Sequence, residues 1–89
     1  MATPEQPPRA AALRYRTGES APALVASGRG HIAEAILRAA EEAGIPVRED
    51  AVLVEALAHL ELGDRVPPEL YQAVAEALAW AYHLARRRA

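Results

Sequence analysis

The chain has 89 residues, a formal net charge of −2 and no cysteine. That bounds it to one small domain and excludes disulfides and thiolate metal sites. All ten basic residues are arginine, against twelve acidic ones, so the basic face that nucleic acid demands is not expected. No apolar run approaches the ~20 residues of a membrane span, and the N-terminus has no signal-peptide core, so a cytoplasmic location is expected. Aromatic residues are 4% of the chain with no phenylalanine, which leaves an aliphatic core of modest size.

Residues 1–9 hold Pro4, Pro7 and Pro8 and almost nothing apolar, and read as a flexible lead-in to a domain over residues 10–89. Ala10 to Arg16 alternates, with Leu13 and Tyr15 on one parity and Arg14 and Arg16 on the other, the pattern of a strand. Thr17 to Ser20 is a turn signal, and the short apolar run after Pro22 is a second strand that tolerates proline at its start. Gly28 and Gly30 open a helix with Ile32, Ile36, Ala40 and Ala43 on one face, and Gly44 stops it. Ile45-Pro46-Val47 reads as a third short strand, parallel to the one before the helix and joined to it by a right-handed crossover.

Asp50 is suited to cap a helix carrying Val52, Leu53, Ala56, Leu57 and Leu60, ended by Gly63 and Asp64. Pro67, Pro68 and Glu69 then start a final helix to about Arg88, with Leu70, Val74, Leu78, Ala81 and Ala85 inward. Its acidic start and its arginine end both suit the helix dipole. The fold class is therefore α/β. A small mixed sheet of about three short strands contains one βαβ unit, packed by three helices including a long C-terminal one.

No catalytic constellation emerges. His31, His59 and His83 have no metal-ligand spacing, and only His31 shares a helix face with a carboxylate, Glu34. Glu61, Asp64 and Glu69 crowd one loop without the spacing of a calcium site. The Gly28 to Gly30 turn is able to offer backbone N–H groups to a phosphate, which keeps a small phosphate-binding or hydrolytic enzyme as the alternative. It matches neither the P-loop nor the dinucleotide fingerprint, and plain helix capping accounts for it. No cofactor or metal is expected.

Several ordered segments carry more information: APALVASGRGHIAEAI, AGIPVRED and ELGDRVPPELYQAVAEALAWAYHL. Their landmarks are Ile45-Pro46-Val47 before an acidic residue, Leu62-Gly63-Asp64 leading to Val66-Pro67, and Glu69-Leu70-Tyr71 running into Ala73 to Trp80. Ala12-Leu13-Arg14-Tyr15 adds to them. Across residues 10 to 85 the chain resembles the cytoplasmic C-terminal domain of the FlhB/YscU family, the switch proteins of flagellar and type III export. In that family the domain follows a membrane domain and cleaves itself at an Asn-Pro-Thr-His loop. The matching place here reads Glu5-Gln6-Pro7-Pro8-Arg9, so autocleavage is not expected and the chain resembles the cleaved product.

The resemblance implies a non-enzymatic interaction domain that binds export substrates or export-gate components. It also implies that the chain substitutes for the cleaved domain of a full-length switch protein. The family's apolar substrate-docking patch matches Ala21, Pro22, Ala75 and Leu78, while Ser27 stands where the family commonly has lysine. Because the family's strand before the cleavage loop is absent, the Ala10–Arg16 edge strand is expected to accept a second copy or an extended peptide.

Overall fold

The computed structural model describes residues 7–88, and the positions of Met1 to Gln6, including Glu5 and Gln6 of the cleavage-loop match, lie outside it. Two strands come first, β1 (Arg9–Arg14) and β2 (Ala23–Arg29). They pair antiparallel from Arg9↔Arg29 to Arg14↔Ala23. The ladder slips between Ala12 and Leu13, because Ala12 faces Ala26 while Leu13 faces Leu24. Val25 is the extra residue, a bulge that adds local twist. Pro8 O accepts from Gly30 N at 2.8 Å, so the entry to β1 is tied to the exit of β2.

Helix α1 (His31–Ala43) lies against both strands. It ends in a Schellman motif: Gly44 is left-handed at φ 72°, Gly44 N donates to Glu41 O, and Ile45 N donates to Ala40 O. This corrects the expectation of a third strand and a parallel βαβ unit. The helix cap consumes the Ile45 amide, Pro46 has none to give, and Val47 alone cannot make a ladder. Among the described residues the sheet has two strands, in the order β1-β2.

The free edge of β2 is covered instead by the segment before the last helix. Leu24 N donates to Asp64 O at 2.9 Å, Gly63 N to Leu24 O at 2.8 Å, and Val66 N to Pro22 O at 2.9 Å, around an antiparallel bridge of Ala23 with Arg65. The α/β class and the three helices are as the sequence implies, with the sheet smaller and wholly antiparallel.

Helix α2 (Ala51–Leu57) starts where Asp50 Oδ1 accepts from Leu53 N at 3.0 Å, a cap of about 1 kcal/mol. A single 3-10 turn, Pro68–Leu70, leads into α3 (Tyr71–Arg88). Leu24, Leu53, Leu57, Val66 and Val74 form the core, with Ala11, Leu13, Leu60, Leu70, Ala73, Ala77 and Leu78 packed against it. Four residues expected on the apolar faces of the helices are exposed instead, Ala43 among them. Val52 is 81% exposed while Leu53 beside it is buried as expected; Ile32 is 61% exposed and Ala33 is buried in its stead; and Ala85 is exposed.

Two local devices hold these pieces in register. A Cβ at Gly28 would collide with the Cβ and Cγ2 of Ile32, so β2 and the first turn of α1 approach as closely as only glycine permits. Glu19, in the turn between the strands, accepts from Arg16 N at 2.9 Å and from Arg65 Nη1 at 3.0 Å. The Arg16 amide first, and then the Arg65 guanidinium, holds the Glu19 carboxyl below its ordinary value of 4.5.

Gly28→Ala should destabilise the domain by about 1–3 kcal/mol, the usual cost of forcing an atom into a packed site, read as a lower urea midpoint. Glu19 supplies the acid limb. A carboxyl depressed in the folded state stabilises fully above its ordinary value and loses that contribution as pH falls through the folded one. Urea midpoints followed from neutral pH down through the carboxylate range should therefore fall for the native chain and fall less for Glu19→Gln.

Candidate functional site

The four residues matched to a docking patch come from two places in the fold, and Val66 connects them. Ala21 and Pro22 precede β2 and are buried, Ala21 to 3% exposure. Pro22 is held by the Val66 amide, and Arg65 Nη1 donates to Ala21 O at 2.7 Å. The Val66 side chain is 2% exposed and shares the core with Val74 of α3, against which Leu78 packs. Leu78 is half-buried and Ala75 exposed. One turn of α3 thus offers Ala75 to solvent beside Leu78, while Ala21 and Pro22 are buried ahead of β2.

The four side chains are apolar, two of them buried and one exposed. Their one neighbouring charged group with a fixed role is Arg65, occupied by Ala21 O and Glu19. The sequence reading passed over Arg65, whose task is visible only once the turn and the 61–66 segment are side by side. An open groove of about 390 Å3 lies elsewhere, between the C-terminal end of α1 and α3, lined by Leu37, Glu41, Gly44, Ile45, Pro46, Val47 and Leu84.

The remaining candidate groups have local roles. His31 Nδ1 lies 3.2 Å from Glu34 Oε1 on the exposed first turn of α1. Asp64 Oδ2 accepts from Glu61 N at 2.9 Å, closing a turn. His59 and His83 are exposed on separate segments. Gly30 N is engaged by Pro8 O and Gly30 O accepts from Glu34 N, so both backbone groups of that glycine serve the fold. Among the described residues no three His, Cys, Asp or Glu side chains stand together as a metal site would require. No helix in that range is long and apolar enough to cross a membrane.

Comparison with known proteins gives one answer from three directions. Residues 8–81 match the model of the FlhB HrpN YscU SpaS family. The chain is 42% identical over 83 residues to YlqH of Bacillus subtilis (strain 168), covering 90% of this chain and 89% of that one. It is 46% identical over 79 residues to the flagellar biosynthetic protein FlhB of Yersinia enterocolitica, covering 86% of this chain but 21% of that protein. The chain therefore spans about a fifth of the length of the flagellar protein.

Among solved structures, the PscU C-terminal domain superposes with a TM-score of 0.76 at 35% identity, covering 81% of this chain and 94% of that one. A mutated EscU/SpaS C-terminal domain reaches 0.80 at 28% identity, covering 84% and 95%. The short antiparallel sheet, the capped α1 and α2, and the long α3 are accordingly the C-terminal domain fold of export switch proteins, and this chain belongs to the FlhB HrpN YscU SpaS family.

Proposed function

We propose that this domain is a non-enzymatic interaction module on the cytoplasmic side of the flagellar or type III export apparatus. It engages short apolar segments of export substrates, or components of the export gate, at Ala75 and Leu78 over the support formed by Ala21 and Pro22. The supporting observation is the pairing of an exposed Ala75 with a half-buried Leu78 on the helix that closes the core of a family member. A small residue beside a partly covered aliphatic one makes a shallow apolar depression. Such a surface suits a flexible peptide, whose affinity rests on a few anchors rather than on area.

The same reading gives β1 a part. Its one ladder partner among the described residues is β2, so its outer edge has backbone donors and acceptors to offer an extended segment. In this role the chain stands in for the cleaved C-terminal domain of a full-length switch protein and supplies its docking surface.

Ala75→Glu separates binding from folding. Because Ala75 is exposed, the substitution should shift stability by about 0.5 kcal/mol or less in a urea melt. It places a carboxylate where an apolar ligand must desolvate it, so calorimetric titration with an apolar export-substrate peptide should show affinity lower by about tenfold or more. A folded variant with native affinity would remove this patch as the binding site.

A further inference from the structure

The strand ladder sets two arginines against each other. Arg9 of β1 is directly opposite Arg29 of β2, and Ala11 is opposite Ser27 one step further in. Opposed residues point to the same face of a sheet and successive ones to opposite faces, so Arg9, Ala11, Ser27 and Arg29 share one face. Ala11 packs against the core cluster to which α2 gives Leu53 and Leu57, which makes it the α2 face. Gly28 belongs to the other face, where it meets Ile32 of α1.

A pocket of about 180 Å3 opens at this end of the sheet, lined by Arg9, Ser27 and Arg29 and by Val54 and Ala58, one turn apart at the end of α2. Both arginines are exposed, and neither has an ion-pair partner among the described residues, whose charged contacts are His31 with Glu34 and Arg65 with Glu19. Glu55, the next residue along α2 from Val54, pairs with neither.

Like charges directly opposite each other destabilise a strand pair, so the two arginines weaken the free domain. An oxyanion seated between them replaces that repulsion with charge-assisted hydrogen bonds from both guanidinium groups. The Ser27 hydroxyl adds a donor on the same face. Val54 and Ala58 add an apolar wall, which suits a ligand whose charged head sits on a short aliphatic stem. The chain is acidic overall, at −2, so this is a local basic spot and not the broad face that nucleic acid requires.

The neighbouring strand edge indicates what carries the charge. The pocket lies at the start of β1, whose one ladder partner among the described residues is β2. An extended segment paired along the outer edge of β1 turns every second side chain toward the α2 face, beside Arg9. We propose that the Arg9–Arg29 pocket is a subsite for an oxyanion on a short aliphatic stem of a bound peptide, a glutamate carboxylate or the phosphoryl group of phosphoserine. The choice of a peptide rests on the β1 edge reading above; the oxyanion chemistry does not, and neither depends on Ala75 or Leu78.

The probes are three blocked pentapeptides with four alanines and a central glutamate, phosphoserine or glutamine, titrated at low salt into the 15N-labelled full chain. The amide resonances of Ala10, Ser27, Gly28 and Arg29 should move saturably with the two charged peptides and hold still with the glutamine one. Phosphoserine bound about tenfold tighter than glutamate would identify the phosphoryl dianion as the ligand, and equal affinities would make the carboxylate sufficient. Arg9→Gln and Arg29→Gln should each lower affinity about fivefold, the scale of one exposed charge pair, and added salt should lower it further. Arg87→Gln, at an exposed site on α3, should leave it unchanged. The urea midpoint of Arg29→Gln should hold or rise, because the opposed charge is gone. Equal movement with the glutamine peptide would overturn the subsite, as would no movement with any peptide or equal weakening by Arg87→Gln. Pocket shifts with none at Ala12 and Arg14 would keep the subsite and remove the edge-strand reading, so the two fail separately.

Discussion

The position of Leu24 governs this fold. Its side chain is fully buried, and its backbone is held from both sides, by Leu13 across the ladder and by Gly63 and Asp64 across the other edge. A two-stranded sheet is marginal in water unless a further segment or helices complete it. The 63–66 segment provides that completion, and it also delivers Val66 to the core. Removing a buried leucine side chain costs about 2–5 kcal/mol, a large part of the stability of any domain this small. The exposed contact of His31 with Glu34 is a minor contributor beside it.

The composition explains why so few residues do this work. With no phenylalanine and many alanines, each element brings one or two large side chains inward: Leu24 from β2, Leu53 and Leu57 from α2, Val74 from α3. α1 contributes a buried Ala33 and closes on the sheet through the gap at Gly28 rather than through bulk. A core of this size cannot enclose every aliphatic residue, so Ile45, Val47, Leu62 and the tyrosines of α3 remain at the surface. Their exposure is a product of the fold's economy before it is a clue to partners.

Much of this was legible in the residues. Asp50 as a cap, Gly44 as a helix stop and the double proline before α3 act through local backbone chemistry, and each appears where the sequence places it. The third strand failed because the Ile45 amide is taken by the helix cap and Pro46 has none, a fact of hydrogen-bond accounting that hydrophobic pattern does not contain. The segment that covers the other edge of β2, residues 63–66, reads locally as a loop with glycine and charges, and its pairing is a tertiary event. For the same reason the role of Arg65 was hidden. Ala75 and Leu78 were visible as a motif, but their exposure depends on which face of α3 the core selects through Val74.

That selection has a further consequence for α3. Val74 and Ala77 turn inward, so Ala75 and Leu78 fall at the boundary between the core-facing side and the open side of the helix. Leu78 keeps part of its surface packed on the core, while Ala75 is exposed and stands outside that packing, so a change at Ala75 addresses the open side of the helix without disturbing the packed one.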